Sequence, residues 1–187
     1  MDFQQYLHAF EEILQAQTPP APYDNEAYLD YAKLNWSRMN RWLKKGELSA
    51  ILIETVKAIS EPQQWIVITE PWCGDAAHSV PFIQLIAQQN DRISLDFELR
   101  DSEPFRINDY LTNGGKSIPK LIIRDAEGKD LATWGPRPAG CQAIYDELKA
   151  QGADFEVQKV ALQNWYNADK GRSIQAELHE MLSLLKG

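Results

Sequence analysis

The residue of this chain best placed for covalent chemistry is Cys73, in the run EPWCGDAAHSVP at 70–81. Trp72 precedes it and Gly74 follows it, where a strand-like run gives way to helical composition. A thiol at such a junction faces unpaired backbone N–H groups and the positive end of the helix dipole, and both favour the thiolate. The Cys73 pKa is therefore expected to fall below the reference of ~8.5. Asp75 opposes this, because a nearby carboxylate disfavours the anion, and no Lys or Arg lies within five residues to offset it. The net expectation is a modestly activated thiol. His78, five residues on, has a poor helical spacing for contact with Cys73 and is expected to be exposed or near the helix cap.

A single thiolate can attack a disulfide or accept glutathione, forming a mixed disulfide. No second cysteine follows within a helical turn, so the fast release that a neighbouring thiol provides is missing. Other chemistry is weakly signalled. His8, His78 and His179 fall on separate predicted helices without metal-ligand spacing, so no metal is expected. Asn113-Gly114-Gly115-Lys116 lacks the helix a phosphate-binding loop requires and reads as a turn. Tyr31, Trp36 and Trp42 read as packing between helices. Acidic pairs such as Glu11-Glu12 mark solvated surface.

The bulk numbers limit the partners. With 187 residues, 44% hydrophobic content and 10% aromatics, the chain can bury a sizeable core. A net charge of −8 and the lack of a basic cluster denser than RMNRWLKK (38–45) argue against nucleic acid or an anionic membrane. Two cysteines do not make a disulfide framework. The N-terminal residues show no basic start followed by an apolar core, and no apolar run approaches the ~20 residues that span a bilayer. The expected setting is a reduced cytoplasm.

Several elements must position Cys73. Residues 2–16 are amphipathic and end at TPPAP (18–22), where three prolines forbid helix. A long helix is expected from Asp24 to Lys45, with Leu29, Ala32, Trp36, Met39 and Leu43 on one face and Gly46 as its stop. Another covers 48–60, with Ile51, Leu52, Val56 and Ile59 inward. WIVIT (65–69) reads as a strand buried on both faces, residues 74–89 as helix, and RISLDFELR (92–100) as an alternating strand. SIPKLIIRDAEGKDLATW (117–134) holds two strand-like runs around a turn at Asp125–Gly128. A helix follows Pro138 to about 151, and two more span about 156–168 and 173–186, the last burying Ile174, Leu178, Met181 and Leu185.

This strand–helix–strand–loop–hairpin–helix order, with Trp72-Cys73-Gly74 at its first junction, resembles the thioredoxin-like superfamily. Trp72-Cys73-Gly74 equals the start of the family's two-cysteine motif. Pro81 matches its helix-kinking proline, Ser117-Ile118-Pro119 the loop carrying its cis-proline, and Gly135 a glycine that leaves room for the substrate chain. The helical extensions resemble a bacterial branch of such proteins. The resemblance implies an α/β thioredoxin-like fold, a mixed central sheet with helices on both faces plus extra α-helices at both termini. The divisions are 1–61, 62–150 and 151–187 within one compact domain.

The resemblance makes Cys73 the catalytic residue and Trp72, Gly74, Asp75, Ile118, Pro119 and Gly135 the substrate-binding set. It also has a departure, since Ala76 replaces the second motif cysteine. Release would then need glutathione, a partner's thiol or Cys141. The fold puts Cys141 near the same end of the sheet, beyond the ~7 Å reach of a disulfide without movement of the chain; its other reading is a small buried apolar side chain. Arg137 is expected to border Cys73, either supplying positive charge or ending a rigid turn.

Two functions stay open. One is one-cysteine thiol–disulfide exchange with a protein or peptide, with glutathione as co-substrate and no other cofactor. The other is a non-catalytic module that binds an extended peptide along Ile118 and Pro119 by strand pairing. Iron–sulfur carriage fits less well, for lack of a basic residue upstream to hold glutathione.

Overall fold

The structure, a computed structural model, describes residues 1–185. Lys186 and Gly187, the end of the expected last helix and segment, lie outside the described residues. Seven helices and four strands follow in the order α1 (Phe3–Gln15), α2 (Glu26–Lys45), α3 (Ala50–Lys57), β1 (Gln63–Thr69), α4 (Gly74–Ala87), β2 (Ile93–Leu99), β3 (Lys120–Arg124), β4 (Asp130–Trp134), α5 (Ala139–Ala150), α6 (Phe155–Asp169) and α7 (Arg172–Leu184). A short 3₁₀ turn, Arg106–Asp109, lies in the connector before β3.

The sheet runs β2-β1-β3-β4. β1 pairs parallel with β2 and antiparallel with β3, and β3 pairs antiparallel with β4. This is the mixed sheet expected. Trp65 to Thr69 are all buried, as are Lys120 to Ile123. Successive side chains alternate between faces, so both faces of the central strands are covered. On the edge strand β2, Phe97 meets the Phe3 and Tyr6 rings of α1 at 5.3 and 5.2 Å. The Met1 backbone bonds Phe97 N–H and C=O (2.7 and 3.1 Å), which occupies part of an otherwise open edge.

Local chemistry explains the helix ends. Asp2 and Gln5 form a reciprocal capping box at α1. α2 starts at Glu26 rather than Asp24 because the Asn25 side chain accepts the Ala27 N–H. The hairpin strand begins at Lys120, so Ser117–Pro119 form a loop before it. In α3, Leu52 and Val56 are buried, but Ile51, expected inward, is 59% exposed. With only eight residues, that helix has room for one buried stripe, and Ile51 lies off it. In α7 the buried set is Ile174, Gln175, Leu178 and Leu182, with Met181 and Leu185 only partly buried.

α7 acts as a strap. Gln175 accepts from Ser49 N–H at the start of α3 (2.8 Å) and donates to Glu47 C=O (3.0 Å). Glu177 accepts from the Trp134 indole and from Ala139 N–H, both at 2.7 Å. One helix therefore ties the N-terminal helices, the last strand and α5 together. No helix among the described residues is long and apolar enough to cross a membrane.

Candidate functional site

Cys73 is the N-cap of α4. Its Sγ accepts the Ala76 N–H at 3.4 Å and donates to the Ile118 carbonyl at 3.3 Å. The helix terminus thus does reach the sulfur. The side chain is nonetheless only 6% exposed, and burial pushes the thiol up to about 12, with the Asp75 carboxylate adding to the rise. Ala76 N–H and Arg137 pull it down by less. The expected activated thiol is therefore corrected to a protonated one. Two N–H contacts and a half-dipole do not offset removal from water.

Across from the sulfur, the loop carrying Ile118 and Pro119 is buried, and the Ile118–Pro119 peptide is cis. Gly135 backs this loop with φ +113°, and a Cβ there would overlap the Pro119 carbonyl oxygen. Its smallness serves the loop's close approach to β4. The buried Lys120 ammonium braces the same loop, bonding Thr112 Oγ1 (2.7 Å) and the Gly135 carbonyl (3.2 Å). Gly74 lies under the Tyr31 hydroxyl, which a Cβ would strike. Trp72 is half-buried, with the Arg100 guanidinium 4.6 Å over its ring and Tyr28 at its edge.

Asp75 faces a set of partners from distant segments. Arg137 forks onto it (Nη2–Oδ2 2.6 Å, Nε–Oδ1 3.1 Å), and the Tyr166 hydroxyl donates to Oδ1 at 2.7 Å. Arg137 thus lies beside the site but spends its charge on Asp75. His78, expected to be exposed or near the helix cap, is buried. Trp42 Nε1 donates to its Nδ1 (2.9 Å), so the proton sits on Nε2, aimed at Gln163 Oε1 (2.9 Å). Its ring stacks on Tyr166 at 4.4 Å, and burial lowers its pKa to about 4. Cys141 is a free, buried thiol pushed up to about 12, chiefly by burial, as its apolar reading has it. Among the described residues no three His, Cys, Asp or Glu gather as a metal site.

Above Cys73 opens a cleft of about 660 Å³, within the usual range for small-ligand sites. Cys73, Trp72, Gly74, Asp75 and Ile118 line it, while Pro119 and Gly135 stand behind the wall. The opposite wall comes from α2 and α6, through Tyr31, Arg38, Lys159 and Tyr166. Sequence reading assigned Tyr31 to packing and gave Tyr166 no role, because neither shares a local pattern with Cys73. The one available hint was RMNRWLKK, whose Arg38 turns toward the cleft.

A family model described as thioredoxin matches residues 21–149, from the loop before α2 into α5. Among solved structures, a protein of unknown function from Pseudomonas aeruginosa is 17% identical, with a TM-score of 0.57 over 81% of this chain and 84% of that one. An HIV epitope scaffold is 16% identical, with a TM-score of 0.57 over 82% and 90%. At such identities the likeness concerns the fold. No curated protein matches the sequence.

Proposed function

The chain belongs to the thioredoxin family, and from that premise we propose that it performs one-cysteine thiol–disulfide exchange through Cys73. The observation that supports this most is the hydrogen bond from Cys73 Sγ to the Ile118 carbonyl at the floor of the cleft. An extended peptide laid along Ile118 would donate its own N–H to that carbonyl, as an added strand does. The thiol then loses its acceptor and keeps the Ala76 N–H, which favours the thiolate. The Cys73 thiolate attacks one sulfur of the substrate disulfide. A new S–S bond forms, the old one breaks, and the departing sulfur leaves as a thiolate that takes up a proton. A second thiol, of the glutathione class or on the partner, then attacks the mixed disulfide and restores Cys73.

A second reading, peptide binding without exchange, is favoured by one observation: the Cys73 thiol is buried, which pushes it up to about 12. The two separate in a pH series. Under exchange, glutathione disulfide adds one glutathione to the protein. The rate climbs about tenfold per pH unit from 7 to 10 without a plateau, as for a thiol still below its pKa. Cys73→Ser abolishes the adduct in intact-mass spectra and Cys141→Ser retains it. An unmodified Cys73 at pH 10, in protein still folded by circular dichroism, leaves only the binding reading.

A further inference from the structure

The charge of the cleft runs against the charge of the chain. The whole sequence carries −8, yet five Lys or Arg side chains and only two carboxylates line this one cavity. Three of the five are already neutralised: Arg137 by Asp75, Lys159 by Glu156 and Arg100 by Asp101. Arg38 and Lys116 make no ion pair among the described residues.

Arg38 is held in place without being neutralised. Its Nη1 donates to Asn35 Oδ1 at 2.9 Å, and the buried Asn35 donates in turn to the Pro71 carbonyl at 3.0 Å, two residues before Cys73. Its guanidinium also lies 5.4 Å from the centre of the Tyr31 ring, whose hydroxyl stands over Gly74. The cation is thus fixed at the rim where α4 begins. Lys116 is exposed and lines the same cavity, two residues before Ile118, on the loop along which a peptide would pair. A guanidinium held by neutral groups and a free ammonium line the same cavity as Cys73, and neither has an ion-pair partner among the described residues.

We infer that Arg38 and Lys116 select a carboxylate-bearing peptidic thiol or disulfide as the partner of Cys73. The choice of a sulfur compound rests on the exchange reading above; the anion preference rests on the cleft alone. The same chemistry is offered by a free tripeptide such as glutathione and by an acidic segment of a protein. Arg38 belongs to the N-terminal helices, so this reading gives that extension a part in substrate choice.

The test uses ligands that bind but cannot react. S-methylglutathione, an acidic peptide carrying S-methylcysteine and its uncharged amide analogue are titrated into the full chain by calorimetry. The anionic probes should saturate. Arg38→Gln and Lys116→Gln should each weaken them about threefold to tenfold, as loss of a partly exposed charge contact does. Arg38→Lys, which keeps the charge, should recover part of the loss, and added salt should weaken binding. Tighter binding of S-methylglutathione points to the free tripeptide, and tighter binding of the acidic peptide to a protein segment. Equal binding of the uncharged analogue, or no effect of either Gln variant, overturns the inference. Uncharged hydroxyethyl disulfide separates this failure from that of exchange. If it modifies Cys73 as fast as glutathione disulfide does, exchange stands and anion selection falls. If neither disulfide reacts while the anionic probes still saturate, anion selection stands and exchange falls.

Discussion

Asp75 does two opposed things at once. Its carboxylate is the second cause of the raised Cys73 pKa, after burial, so it restrains the thiol. It also anchors Arg137 and Tyr166 over the start of α4, in an ion pair whose two side chains are only 12% and 13% exposed. Asp75→Asn should therefore split activity from stability. Alkylation of Cys73 by iodoacetamide at pH 8 should quicken, because the nearby negative charge is gone. Stability should fall by about 3 kcal/mol in urea, since Arg137 is left without its counter-ion. A slower alkylation would mean that Asp75 helps the thiolate, against the electrostatics. At this scale the sequence was half legible. Trp72, Cys73 and Gly74 announce the site by their order, and the opposing sign of Asp75 follows from adjacency alone. The depth of Cys73 does not, because it is set by segments distant in sequence, such as the loop whose Ile118 carbonyl meets the sulfur.

Among the elements, α4 carries the most consequential buried polar group. His78 accepts from Trp42 of α2 and donates to Gln163 of α6, so one neutral ring joins three helices. Burial disfavours its charged form most, Arg38 and Arg41 add to this, and the Gln163 hydrogen bond and Asp75 offset only part. With a folded pKa of about 4 against about 6.5 unfolded, the unfolded chain binds the extra proton between those values. Stability is thus full above pH 6.5 and declines as pH falls toward 4. The expected loss between pH 7 and 5 is about 2 kcal/mol, read as a lower urea midpoint. His78→Gln should start less stable and show a flatter pH profile over that range; an equally steep profile would assign the effect to other groups. Periodicity located α4 well, since an apolar helix announces itself. It misplaced His78 because i, i+5 spacing describes contacts along one helix and says nothing of the two helices packed against it.

On the scale of the whole molecule, the terminal helices belong to the core rather than decorating it. The family match begins at residue 21, well before the first strand, and α2 supplies buried Ala32, Asn35, Met39 and Trp42. At the other end, α7 buries Ile174, Leu178 and Leu182 and bonds α3, β4 and α5 through Gln175 and Glu177. Composition showed that these segments were amphipathic helices, but an apolar stripe does not name the surface it covers. That is why the central sheet was readable from its β-branched runs and the strap was not. Burying three aliphatic side chains contributes roughly 1.5–3 kcal/mol each, comparable in sum with the ~5–15 kcal/mol that holds a domain together. The full chain should therefore unfold in one step, with tryptophan fluorescence and far-ultraviolet circular dichroism giving coincident urea transitions. A chain ending at Ala150 should lose that sharp transition and expose apolar surface, because α3 loses the α7 packed on it and the Phe82 ring loses the close approach of Gly171, while the sheet sequence is intact. If the shortened chain kept a single transition near the full-length midpoint, α6 and α7 would be an accessory layer. The cleft wall that α6 provides over Cys73 would then be separable from the fold.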